Sequence, residues 1–261
     1  MKMLKIKLDI KLIIKNCAIT FIIILSIITL YKCNTNGKQT PIPENLSLQK
    51  MSPINVPEPS GLAFSFEKDF FWAVSDSNSK VYKLNLKGNI ITSFLIDGED
   101  LEGITVIDSE RLAVILERTR EIVIIDTSGR EIKRKKFDLH GNLNEGLEGI
   151  CYDPINKNFY LLNEKHPGLL IKTNDNFNEI FRKDLNLADD YSDIFLSVKD
   201  TTLWILSDES EMIIQTDFNG RLIKQYKINV DQPEGLVVDY VNKKVFVVSD
   251  KKEELYEYKL P

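Results

Sequence analysis

"NEGLEGICYD", residues 144–153, sets Glu145 and Glu148 beside Gly146 and Gly149 at the head of a run that reads as a β-strand. A shorter form of the phrase returns along the chain. "PSGLAF" (59–64), "LEGITV" (101–106), "LEGICY" (147–152), "YSDIFL" (191–196) and "PEGLVV" (233–238) align on Gly61, Gly103, Gly149, Asp193 and Gly235, which lie 42, 46, 44 and 42 residues apart. A period in the low forties made of short apolar runs is the spacing of a β-propeller blade.

Each unit carries a second landmark. "FWAVSD", "LAVILE", "FYLLNE", "LWILSD" and "VFVVSD" are apolar strands that end at Asp76, Glu117, Glu164, Asp208 and Asp250. Twelve residues after the first four of these acids come Gly88, Gly129, Asn176 and Gly220, the residue types of tight hairpin turns. A third strand precedes each turn and a fourth follows it, so one unit is one four-stranded blade. The last unit reaches Pro261 with only three strands, and "NLSLQKM" (45–51) is the expected fourth. Closing the ring in this way removes open sheet edges. The expectation is an all-β, five-bladed propeller over 58–261 with an N-terminal strand closing the last blade. The alternative, six blades, needs a further unit that the chain does not show.

The first 32 residues are of another kind. Lys2, Lys5, Lys7, Lys11 and Lys15 precede "CAITFIIILSIITLY" (17–31), an uncharged run of 15 residues. That is a signal-peptide core or a short membrane anchor, below the ~20 residues that span a bilayer comfortably. Cys33 follows in "LYKC", and Leu30 stands three residues before it, as in a bacterial lipoprotein signal. Lipidation at Cys33 is expected, with 33–57 as tether and closing strand. An uncleaved anchor is the alternative, and either way the bulk of the chain is exported to the cell envelope. Beyond Lys32 the chain holds 28 basic and 38 acidic residues, a formal net of −10. Such a domain lacks the basic stripe that nucleic-acid binding requires, and suits cations better. The folded part keeps one cysteine, Cys151, so no disulfide framework exists, and this residue reads as a buried apolar one.

The strand starts "EPSGLAF", "LEGI" and "PEGL", with "VSDSNSKVYKL" between them, resemble the SdiA-regulated (YjiK-like) family of bacterial propellers. The separate "SD…VYKLNLKG" segments are similar to NHL-type repeats. The resemblance implies an exported or membrane-associated β-propeller and assigns no catalytic residues. "EPSGLAF" also resembles phytase-like and lactonase-like propellers.

In a blade, the end of the second strand lies beside the start of the first. Counting back from the turns opposes Glu102 to Glu117, Glu148 to Glu164, Asp193 to Asp208 and Glu234 to Asp250, with Ser60 opposite Asp76. All would point toward one mouth of the ring. Like charges directly opposite one another destabilise a sheet, so a bound hard cation, raised pKa values or backbone N–H donors must offset them. Oxygen ligands alone suit Ca²⁺ or Mg²⁺. The competing reading makes Asp76, Glu117, Glu164, Asp208 and Asp250 structural, bonded to loop backbone as in NHL-like repeats.

Only His140 and His166 exist, so a His-rich zinc site or a His-based triad has little to work with. His166, close after Glu164, can reach the same mouth. Trp72 and Trp204 read as core, and "REIKRKKF" (130–137) as a solvated outer strand. The leading functional expectation is a membrane-tethered binding module for a small-molecule or protein ligand, whose acidic mouth takes Ca²⁺. The rival is a Ca²⁺-dependent hydrolase of phytase-like or lactonase-like type, disfavoured by sparse histidines and no Lys/Arg cluster at the mouth. An interaction platform without metal is the third reading.

Overall fold

A computed structural model describes residues 42–261, which are built entirely of strands and their connections. The expected export segment 1–32 and the lipid-attachment residue Cys33 lie outside the described residues. Among those described, no helix is long and apolar enough to cross a membrane.

Chain order begins with β1 (Glu44–Asn45) and β2 (Ser47–Pro53). Blade one is β3 (Pro59–Phe64), β4 (Phe70–Ser75), β5 (Lys80–Asn85) and β6 (Ile90–Leu95). Blade two is β7 (Leu101–Val106), β8 (Arg111–Leu116), β9 (Glu121–Asp126) and β10 (Glu131–Lys136). Blade three is β11 (Leu147–Asp153), β12 (Asn158–Asn163), β13 (Leu169–Asn174) and β14 (Glu179–Asp184). Blade four is β15 (Asp193–Ser197), β16 (Thr202–Ser207), β17 (Met212–Asp217) and β18 (Leu222–Lys227). Blade five is β19 (Pro233–Asp239), β20 (Lys244–Ser249) and β21 (Glu254–Lys259), completed by β2.

Five blades and closure by the N-terminal strand are therefore as expected. The closing strand pairs antiparallel with β21, Ser47 opposite Lys259 and Pro53 opposite Glu254, slightly later than 45–51. The residues before it do more than tether. Glu44 and Asn45 of β1 pair in parallel with Tyr226 and Lys227, so the same segment edges blade four and closes blade five.

Sequence pattern and depth agree. Second strands such as β8 ("RLAVIL") and β20 ("KVFVVS") are buried along nearly their whole length, because both faces pack against blades. Outer strands such as β10 ("EIKRKK") are largely exposed, as their charge requires. Trp204 is 1% exposed, lies parallel to Tyr226 at 5.4 Å between centroids, and donates its indole N–H to Tyr240 Oη at 2.9 Å. Trp72 and Cys151 are likewise buried core residues.

The outer hairpins repeat one device. Asp126 Oδ1 accepts the N–H of Ser128 at 2.9 Å and of Arg130 at 3.0 Å, while Gly129 takes φ +94°. In blade three the left-handed position belongs to Phe177 (φ 63°), not Asn176. The connection between Glu164 and β13 is one residue longer than its counterpart after Asp76, which moves the turn along by one.

At the axis the inner strands meet backbone to backbone. A Cβ on Gly61 would lie 2.5 Å from the Glu102 carbonyl oxygen of the next blade. Gly103 abuts Glu148, Gly149 abuts Asp193 and Ile194, and Gly235 abuts Leu62 in the same way. The remaining junction, from blade four to blade five, is a hydrogen bond from the Leu236 N–H to Asp193 Oδ2 at 2.7 Å. These five contacts form a collar that closes the ring.

Candidate functional site

The collar decides where the acids go. In blades one, two, three and five the first strand bulges at or next to the residue before the collar glycine. A bulge sets two residues against one and re-aims a side chain. The residues so placed are Ser60, Glu102, Glu148 and Glu234, with Ser192 as the blade-four equivalent, and all five line one cavity of about 270 Å³. The second-strand ends Asp76, Glu117, Glu164, Asp208 and Asp250 line it too.

The backbone register does not set the expected pairs directly opposite one another, although Glu148 and Glu164 still bring carboxylate oxygens together. The turns centre earlier in the chain than counting assumes, and the bulges shift the register again. Glu117 N–H bonds the Asp100 carbonyl at 3.0 Å, and Glu164 N–H the Gly146 carbonyl at 2.8 Å. Asp250 N–H bonds the Gln232 carbonyl at 2.9 Å, and Asp193 lies opposite Leu206. Acids instead gather across blade boundaries. Carboxylate oxygens of Asp76, Asp100 and Glu102 lie within 4.8 Å of one another, as do those of Glu117, Glu148 and Glu164.

Asp193 is the exception among the expected site residues. It holds the collar position that glycine holds elsewhere, is 1% exposed, and does not line the cavity. Its carboxylate accepts the N–H groups of Ile194 at 2.7 Å and Leu236 at 2.7 Å. Burial pushes its pKa well up, partly countered by backbone donors that include Leu62. Asp193 is thus a clamp on the axis.

Counting also missed contributors. Asp100 and Asp190, each three residues before a collar position, line the cavity, as do Arg118, Lys165 and Glu209, which directly follow second-strand ends. The mouth therefore holds two cations, contrary to expectation. Both are engaged: Arg118 Nε with Asp100 at 2.9 Å, and Lys165 Nζ with Glu164 at 2.7 Å and Glu209 at 2.9 Å. Among the described residues, eleven carboxylates still face two cations. His166 is outside the cavity lining, exposed, and 3.2 Å from Glu145.

Some acids are anchored. Glu117 Oε1 accepts the Gly146 N–H at 2.8 Å, and Asp190 accepts Ser207 Oγ and the Glu209 N–H. Others are not. Asp76 Oδ1, Glu164 Oε2 and Asp250 Oδ1 are buried without a hydrogen-bond partner among the described residues. Glu148 is 8% exposed, and burial, then Glu102 and Glu117, hold its pKa far above the usual carboxylate range. Burial does the same to Glu102 and Glu234, reinforced by neighbouring acids. Burial lifts Glu117 to about 7, Asp76 to about 6 and Asp208 to about 6. Desolvation and like charge act together here, each penalising the ionised form.

The fold and this mouth define a five-bladed β-propeller with an acid-lined axial cavity. The chain belongs to the SdiA-regulated family, whose profile matches residues 45–259. Among solved structures, it is similar to a chain of a nidogen–laminin complex over 78% of this chain and 80% of that one, with a TM-score of 0.54 and 14% identity. A streptogramin B lyase is similar over 81% and 72%, with a TM-score of 0.51 and 16% identity. The virginiamycin B lyase of Staphylococcus aureus is similar over 81% and 74%, with a TM-score of 0.50 and 17% identity. At these identities the likeness is one of fold. No curated protein matches the chain.

The raised pKa values carry a pH dependence with a definite sign. Native Glu117 keeps its proton until about pH 7, and Asp76 and Asp208 until about 6, whereas the ordinary values of these side chains are 4.5 and 3.8. Between those limits the native state binds more protons than the unfolded chain, so stability falls as pH rises, and the contribution of these three groups levels off above. In chelator-containing buffer the melting temperature is expected to drop between pH 4.5 and pH 7. A melting temperature that climbs across that interval would show the acids to be already compensated.

Proposed function

We propose that this protein is a cell-envelope binding module, held at a membrane through its N-terminal segment, whose acidic mouth takes a hard divalent cation of the Ca²⁺ type. The observation that carries the reading is the set of buried carboxylate oxygens on Asp76, Glu164 and Asp250 that have no donor among the described residues. An unpaired buried acceptor is costly, and a cation with six to eight oxygen ligands satisfies several at once. Two groups offer the ligands: Asp76, Asp100 and Glu102, or Glu117, Glu148 and Glu164. A cation held there with open coordination positions would present itself to an oxygen-rich ligand entering from the mouth.

The Ca²⁺-dependent hydrolase is the second reading, favoured by one observation. Glu117, lifted to about 7, is poised as a general acid or base near neutral pH beside Arg118. Ca²⁺-dependent turnover in an esterase, lactonase and phosphatase screen would select it over binding alone.

Ca²⁺ is expected to raise the melting temperature at pH 7.5, since a ligand of the native state stabilises it by mass action; at a hundred times its Kd the gain is about 2.7 kcal/mol. Glu148→Gln should keep the fold and lose most of that shift. A parent protein that Ca²⁺ leaves unmoved, alongside a stabilised Glu148→Gln variant, would leave only mutual repulsion among the acids and favour the metal-free platform.

For the tether, Cys33→Ser is expected to release the protein from the membrane fraction or leave an unprocessed precursor. Unchanged processing and partitioning would favour a plain anchor.

A further inference from the structure

Beyond the collar, the same five inner strands open into a second cavity, of about 420 Å³, on the side opposite the acids. It lies within the ~300–1,000 Å³ typical of small-molecule sites. Its walls are the outgoing ends of β3, β7, β11, β15 and β19 and the hairpins that follow them. None of its lining residues is an Asp or Glu, in a chain with 39 of them.

The rim breaks the usual rule for loop tips. Phe66 is 55% exposed, Val198 42% and Val241 84%, all lining the opening, and Ile155 in the blade-three hairpin is 69% exposed. A lysine follows each within two residues: Lys68, Lys199, Lys243 and Lys157. Four of five hairpins thus repeat an exposed apolar tip with a cation beside it. Single exposed apolar residues need no explanation, but a set gathered around one concave opening marks an interaction site.

Two of the lysines belong to the cavity lining. Lys68 Nζ lies 5.9 Å from the Phe64 ring centre and Lys199 Nζ 5.5 Å from that of Tyr240. Glu67 and Asp69 flank Lys68 in the chain but lie outside the lining, and the two carboxylates nearest the opening accept hydrogen bonds from neighbouring groups. Asp239, which faces Lys68, accepts from Val241 N at 2.9 Å, Asn242 N at 3.1 Å and Asn242 Nδ2 at 2.7 Å. Asp200, next to Lys199, accepts from Tyr240 Oη at 2.6 Å, Thr202 Oγ1 at 2.8 Å and Gln215 Nε2 at 3.1 Å. Neither ammonium group makes an ion pair within 4.0 Å among the described residues.

We propose that this second mouth binds a small amphipathic anion, its aromatic or short acyl part in the cup and its anionic group between Lys68 and Lys199. The wall supplies apolar area, the rim supplies charge of the opposite sign, and no acid in the lining repels the ligand. The site is independent of the acidic mouth and of any cation bound there.

The test is calorimetric titration of the full-length protein with 4-phenylbutyrate, compared with the uncharged 4-phenylbutanol. Saturable binding at one site per chain is expected, with the anion tighter than the alcohol. The double variant Lys68→Gln, Lys199→Gln should bind the anion about tenfold more weakly, the combined effect of two partly exposed charge contacts, and the alcohol as the parent does. Phe66→Ser with Val241→Ser should weaken both probes. All these side chains are exposed, and unchanged melting temperatures will show that the variants fold. Absence of saturable binding overturns the proposal, as does equal binding of the anion by the parent and the lysine variant.

Discussion

Everything about this ring follows from how closely its five inner strands approach one another. At Gly61 even a methyl group would collide with the Glu102 carbonyl of the neighbouring blade. Glycine tolerates that approach because it has no Cβ. Blade four solves the problem differently, with the Asp193 carboxylate reaching across to the Leu236 N–H. The collar so made joins the blades at the axis and divides the centre of the molecule into two cavities that share no lining residue.

The two ends of the axis consequently have opposite chemistry. Residues just before the collar project glutamates, and the ends of the second strands add a further tier of acids. Residues just after it are apolar and end in hairpins tipped by Phe66, Val198 and Val241. Period-two alternation along a strand sends neighbours to different faces, and here the bulge beside the collar adds a second change of direction. Crowding carboxylates into a desolvated mouth is unfavourable unless they hold protons or a cation, which is why Glu148, Glu102 and Glu234 have pKa values far above the ordinary range.

Much of this was legible in the residues. The spacing of Gly61, Gly103, Gly149, Asp193 and Gly235 yields five blades, and the three-stranded last unit yields the closing strand. The location of eight of the nine expected acids at one mouth was also readable. Their pairing was not, because counting from a turn assumes one-to-one opposition, and turn position and bulges both violate it. The alignment itself held the correction in blade four: Asp193 occupies a glycine position, and Ser192 stands where the other blades put Ser60, Glu102, Glu148 and Glu234. Asp100, Asp190, Arg118 and Lys165 stood at fixed offsets from landmarks already found. The apolar cup was the hardest to foresee, since an isoleucine or valine in a hairpin does not announce whether it folds inward or stays out.

A cation among these carboxylates must displace the protons that burial holds on them. Proton release on Ca²⁺ addition, measured in weakly buffered solution at pH 6, therefore tests the central claim most directly. At that pH Glu117 is still largely protonated, and Asp76 and Asp208 are near their midpoints. Release of about one proton or more for each Ca²⁺ bound, abolished in Glu148→Gln, is the predicted result. Ca²⁺ binding without proton release, or no binding at all, would contradict it.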